Sequence, residues 1–126
     1  MHGVAAKVLI VDDEPDITLV MKLGLEREGF EVQTFNDPMK ALKGFESGMY
    51  DLVILDINMP DVDGLTLWYK LKDIDKKIKG IFLTSLDFVD DKRSREKFLS
   101  FDRKILVKKP IQLWALVRLI KAELGI

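Results

Sequence analysis

Five short apolar runs punctuate the chain, and each is followed by a polar break and then a helical pattern. Lys7–Val11, Glu31–Phe35, Asp51–Leu55, Gly80–Thr84 and Lys104–Val107 read as strands. Four of the five are nearly continuous in Val, Leu, Ile and Phe, as parallel strands buried on both faces require. Glu31–Phe35 alternates more and suits an edge. Between the runs, Ile17, Val20, Met21 and Leu25 fall on one helical face, with Glu28-Gly29 as the stop. Asp37 caps a helix with Pro38 at its first position, and Ala41, Leu42 and Phe45 form its stripe. Leu65, Trp68 and Leu71 follow Asp63-Gly64, and Leu113, Leu116, Val117, Ile120 and Leu124 make the clearest stripe. The densely charged stretch from about Val89 to Phe101 is read as one more helix.

Five strands alternating with five helices give (βα)5, a doubly wound parallel α/β sheet with helices on both faces. Right-handed crossovers leave few topologies, and the order 2-1-3-4-5 puts the least apolar strand on an edge. The topological switch then lies between the first and third strands, where ligands bind at the carboxyl ends.

The chain has 126 residues, 48% hydrophobic and 33% charged, which fits one domain with a real core rather than a disordered chain. With no cysteine there is no disulfide framework, thiolate nucleophile or Cys-bound metal. Twenty basic and 21 acidic residues nearly cancel, against a nucleic-acid-binding role for this domain. Apolar runs of at most five residues do not span a bilayer, and Met1–Lys7 has no signal-peptide core, so a cytoplasmic location is expected.

The first strand runs into Asp12-Asp13-Glu14, and the third ends in Asp56, followed by Ile57-Asn58-Met59-Pro60 and Asp61-Val62-Asp63-Gly64. Carboxylates therefore flank the expected crevice. The fourth strand brings Thr84-Ser85 to the same edge and the fifth brings Lys108-Lys109-Pro110, with Lys109 the inward lysine by strand alternation. Asp12, Asp13 and Asp56 carry −3, and one lysine leaves −2. Two carboxylates about 4 Å apart repel by roughly 4 kcal/mol at an effective dielectric near 20. A divalent cation would cancel the remainder, and hard oxygen donors point to Mg²⁺ or Mn²⁺ rather than zinc. Taken singly, each element has a plainer reading: an acidic helix start, a strand-ending turn, a strand threonine, a solvated lysine.

Taken together, Val8–Glu14, Asp56–Pro60 with Asp63-Gly64, Thr84-Ser85 and Lys109-Pro110 resemble the receiver domain of two-component response regulators. The fold implied is flavodoxin-like, a single receiver domain over residues 1–126. The resemblance implies that Asp56 is the phosphorylated aspartate and Asp13 a direct metal ligand. Asp12 would hold the ion largely through water, and the backbone carbonyl of Asn58 would complete the set. Thr84 matches the hydroxyl that closes on the phosphoryl group, and Lys109 the residue that pairs with it. The expected donor is a histidine kinase or phosphotransfer protein. The output would pass through the helix over about Val89–Phe101, the fifth strand and the last helix to a downstream protein or domain.

Three features depart from that pattern. Leu106 stands where family members commonly carry Tyr or Phe, Ser100–Arg103 replaces a Gly-Ala step, and the segment from Thr84 to Lys109 is a few residues longer than usual. They bear on the output face, and Leu106 implies a smaller, aliphatic repacking there. Trp68 is expected in the core, while the offset of Trp114 from the last stripe leaves partial exposure and a partner contact open. Two alternatives accompany this reading: a receiver-like interaction module that is never phosphorylated, and a Mg²⁺-dependent aspartate-nucleophile phosphohydrolase. The phosphohydrolase usually has a second Asp two residues after the nucleophile, where this chain has Asn58. A flavin carrier of the same fold would need a Ser/Thr/Gly-rich phosphate loop in place of Asp12-Asp13-Glu14.

Overall fold

A computed structural model describes residues 5–59, 64–84 and 105–126. Its strands are β1 (Lys7–Val11), β2 (Glu31–Phe35), β3 (Leu52–Asp56), β4 (Lys79–Thr84) and β5 (Ile105–Lys108). They form one parallel sheet in the order β2-β1-β3-β4-β5, as the sequence pattern implied. Period-two alternation sorts the strand side chains onto two cores. Leu9, Val11, Val53, Leu55 and Phe82 face helices α2 (Pro38–Lys43) and α3 (Gly64–Ile74). Val8, Ile10, Leu52, Ile54, Ile81 and Leu83 face α1 (Pro15–Arg27) and the C-terminal helix (Leu113–Leu124). Helix expected over Val89–Phe101 lies outside the described residues, as do Pro60–Asp63, Ser85 and Ser100–Lys104.

Strand ends differ from the sequence reading by a residue. Asp56 stays in the ladder opposite Leu83, and Lys108 opposite Thr84, so both polar residues extend their strands. In α1 the buried positions are Thr18, Met21 and Leu25, with Ile17 half-buried. Val20, read as part of that stripe, is 69% exposed. Thr18 takes the inner place because its hydroxyl donates to the Pro15 carbonyl (3.0 Å) and so enters the interior with its hydrogen bond made. Asp37 caps α2 as expected, its carboxylate accepting from the Met39 amide at 2.9 Å. Trp68 is buried edge-on against Phe82, with the rings at 87°, and Trp114 is exposed.

Candidate functional site

The β2-β1-β3 order puts the switch point between β1 and β3, and the residues just past those strands meet there. Asp12 leaves β1 and Asp56 closes β3, and both are almost wholly buried. Asp13 is half-buried beside them. One carboxylate oxygen from each of the three lies within 4.8 Å of the others. Lys109, one residue past β5, sends its ammonium into this cluster, 3.0 Å from Asp12 Oδ2 and 3.2 Å from Asp56 Oδ2. Lys108 is exposed, so of the two lysines it is Lys109 whose ammonium turns into the cluster. The Lys109 amide also donates to the Thr84 carbonyl at 2.8 Å, which ties the ends of β4 and β5 together.

The neighbouring backbone holds these groups in place. The Glu14 amide donates to Asp12 Oδ1 (3.0 Å) and the Asn58 amide to Asp56 Oδ1 (3.1 Å), so each buried carboxylate is bonded by the turn it begins. Gly64 packs against the Asp56 carbonyl, and a Cβ there would lie 2.8 Å from Ile57 Cα. No side chain fits, which explains a glycine at the start of α3. Thr84 is fully buried, and its Oγ1 lies 3.4 Å from Asn58 Oδ1. Asn58 itself is exposed at the mouth. All six residues singled out in the sequence thus gather at one edge of the sheet.

Electrostatics follow from burial and crowding. Burial raises the Asp56 pKa above the ordinary carboxylate value, and the Asp12 charge adds to this, while the Asn58 amide and Lys109 pull it part of the way back. For Lys109, burial alone would lower the pKa. Its bonds and charge attraction to Asp12 and then Asp56 outweigh that, and the net shift is upward. The cluster retains −2 after Lys109 is counted. Its donors are oxygens alone, a set that suits a hard divalent cation such as Mg²⁺.

Sequence reasoning missed two residues. Both hydrogens of the Asn36 side-chain amide are used, one on the Asp12 carbonyl (2.8 Å) and one on Thr18 Oγ1 (3.0 Å). Neither residue carries charge, and Asn36 precedes a helix cap, so composition and spacing offered no signal.

Fold and site define a class: a parallel α/β domain with an acidic, lysine-bridged pocket at its switch point. Over residues 8–121 the chain matches the family described as response regulator receiver domain, and it belongs to that family. It is 35% identical over 118 residues to the transcriptional regulatory protein PrrA of Mycobacterium tuberculosis, covering 94% of this chain and 49% of that protein. A CheY-like response regulator receiver domain protein from Methanospirillum hungatei JF-1 matches in structure with a TM-score of 0.86 at 27% identity, over 97% of this chain and 95% of that one. The response regulator protein TrrA from Thermotoga maritima, solved in complex with Mg²⁺-BeF, gives a TM-score of 0.76 at 36% identity, over 93% and 97% of the two chains. The chain spans about half the length of PrrA, and 35% of the length of another relative, TrcR. Receiver domains are signalling phosphoacceptors that bind Mg²⁺ at an acidic site and act between histidine kinases and output domains. Among the described residues no helix is long and apolar enough to cross a membrane.

Proposed function

We propose that this chain is a single receiver domain over residues 1–126 that accepts a phosphoryl group on Asp56. The donor is a phosphohistidine of a histidine kinase or phosphotransfer protein. An Asp56 carboxylate oxygen forms the new bond to phosphorus as the donor's P–N bond breaks, and the imidazole leaves with that electron pair. The product is an acyl phosphate, labile enough for a resettable signal. Beyond this self-directed chemistry the domain is not an enzyme. The observation that carries the proposal is the meeting of three carboxylates within 4.8 Å, with Lys109 bridging Asp12 and Asp56.

Asp12, Asp13, Asp56 and the Asn58 carbonyl would hold Mg²⁺, or Mn²⁺ in its place. Bound there, a divalent cation supplies two positive charges that favour ionised Asp56 and offset charge on the transferring oxygens. The protein's own groups supply the rest. Lys109, already between two carboxylates, has three donor hydrogens and can turn one to a phosphoryl oxygen. Thr84 offers a hydroxyl from the adjoining strand. The burial of Asp56 keeps bulk water from its carboxylate. Asn58 stands where a phosphohydrolase would use a second Asp, and a carboxamide cannot trade protons there.

The output surface comprises the helix expected over Val89–Phe101, β5 and the C-terminal helix, with exposed Trp114 a contact. Leu106 pairs with Phe82 across β4 and β5 and packs half-buried on the α2/α3 core, which supports an aliphatic repacking. PrrA is a transcriptional regulator, which supports an output on transcription, exerted through a downstream protein or domain rather than by nucleic-acid contact here. A cytoplasmic setting accords with membership of the response regulator receiver family.

Incubation with Mg²⁺ and acetyl phosphate should give one hydroxylamine-sensitive phosphate, absent in Asp56→Asn. Full labelling of that variant would end the assignment. Beryllofluoride should shift backbone amides from about Phe88 to Trp114, and changes confined to the pocket would refute the output route.

A further inference from the structure

Asp12 and Asp13 are held in different ways. Asp12 is bonded from several sides: its amide donates to the Phe35 carbonyl (3.1 Å), and its carboxylate accepts from the Glu14 amide and from Lys109. Asp13 has a half-buried carboxylate that makes no hydrogen bond or ion pair among the described residues. Its position is therefore set by the backbone turn that carries it.

That turn is closed from outside by one side chain. The Asp12 carbonyl can only accept, so the amide nitrogen of Asn36 must face it. Thr18 spends its hydroxyl hydrogen on the Pro15 carbonyl and so accepts the second Asn36 hydrogen. Asn36 thus joins the residue before Asp13 to the first turn of α1 just after it. A chain of donors runs from the amide through the hydroxyl of buried Thr18 to Pro15. The clasp is neutral, and an aspartate in its place would add a fourth negative charge and lose both donors.

We infer that Asn36, acting with Thr18, is a positioning residue for the cation site: it holds the Asp12–Pro15 turn so that Asp13 presents its carboxylate beside Asp12 and Asp56. This rests on the proposed reading of the cluster as a Mg²⁺ site. Outer groups that orient ligands commonly change metal affinity by about 10- to 100-fold when removed. A single neutral clasp on one of three carboxylates belongs at the lower end.

The test uses the whole chain. Mg²⁺ titrations followed by the backbone amides of Asp12, Asp13 and Asn58 should show about tenfold weaker binding in Asn36→Ala. Thr18→Val should weaken binding in the same direction, and Thr18→Ser, which keeps the hydroxyl, should restore it. In metal-free protein the Asp12 amide should exchange with solvent about tenfold faster in Asn36→Ala. Should that variant fail to fold, the Thr18→Val and Thr18→Ser pair decides by itself. A lower melting temperature with Mg²⁺ affinity within about twofold of the parent would overturn the inference and leave Asn36 a structural bond. A parent chain that does not bind Mg²⁺ would instead overturn the cation-site reading. The metal-free exchange rates then judge the clasp alone, and unchanged rates would dismiss it.

Discussion

Replacing Asp56 by Asn should stabilise the metal-free protein. The three carboxylates lie within 4.8 Å of one another, so each ionised pair repels by at least about 3.5 kcal/mol at an effective dielectric near 20. Ionised Asp56 therefore faces about 7 kcal/mol from Asp12 and Asp13. The Lys109 ammonium at 3.2 Å returns about 5 kcal/mol on the same scale. The balance is about 2 kcal/mol against the charge, and the cost of burial acts in the same direction. Asparagine keeps one oxygen for the Asn58 amide and removes the repulsion, and the Lys109 attraction it gives up is already subtracted in this balance. In EDTA at neutral pH the variant should melt about 5–8 °C above the parent, as expected for about 2 kcal/mol in a domain of this size. The pH dependence has a defined sign. The folded pKa of Asp56 is raised, so just above the ordinary carboxylate value the native state binds more protons than the unfolded chain. The parent's disadvantage grows as pH rises through the raised folded pKa and vanishes below the ordinary one. Thermal unfolding from pH 3.5 to 8 in EDTA measures this gap. A variant that melts at or below the parent at neutral pH would refute the charge balance.

Three further outcomes follow from the same geometry. Lys109→Met should destabilise the metal-free protein by about 2–4 kcal/mol, because Asp12 and Asp56 are left buried without their cation. Its raised pKa means that the gap persists to pH 10 and closes only as pH passes the folded value, which urea unfolding can follow. Gly64→Ala should cost about 2–3 kcal/mol, since its Cβ would press on the backbone of Asp56 and Ile57, and should also slow labelling by acetyl phosphate. Asp13→Asn should weaken Mg²⁺ binding and phosphoryl uptake, and an unchanged Mg²⁺ titration would remove Asp13 from the site.

Much of this architecture was legible because it depends on periodicity. Near-continuous apolar runs imply strands covered on both sides, and that alone separates β1, β3 and β4 from the half-exposed β2. Once the order was set, the acidic residues fell at the switch point without further assumption. The inward choice of Lys109 over Lys108 came from alternation of the same kind. Val20 was misplaced because hydropathy cannot anticipate a threonine that satisfies its own hydroxyl and takes the inner face. Asn36 was unreadable for a related reason: its contacts reach 24 residues back to Asp12 and 18 to Thr18, and neither partner marks itself by charge or spacing.

The lysine that bridges Asp12 lies 97 residues from it along the chain. During synthesis, β1, β2 and β3 and all three carboxylates leave the ribosome before Lys109, which follows Asp56 by 53 residues. At about 5–20 residues per second that interval is roughly 3–10 s. A nascent chain that closes β2-β1-β3 early must carry three clustered negative charges without the ammonium that later relieves them. Ambient cations would then supply the counter-charge, so the acidic cluster should make early folding of the chain sensitive to divalent ions. A chain interrupted before Lys109 would carry the acidic cluster without the ammonium that bridges Asp12 and Asp56.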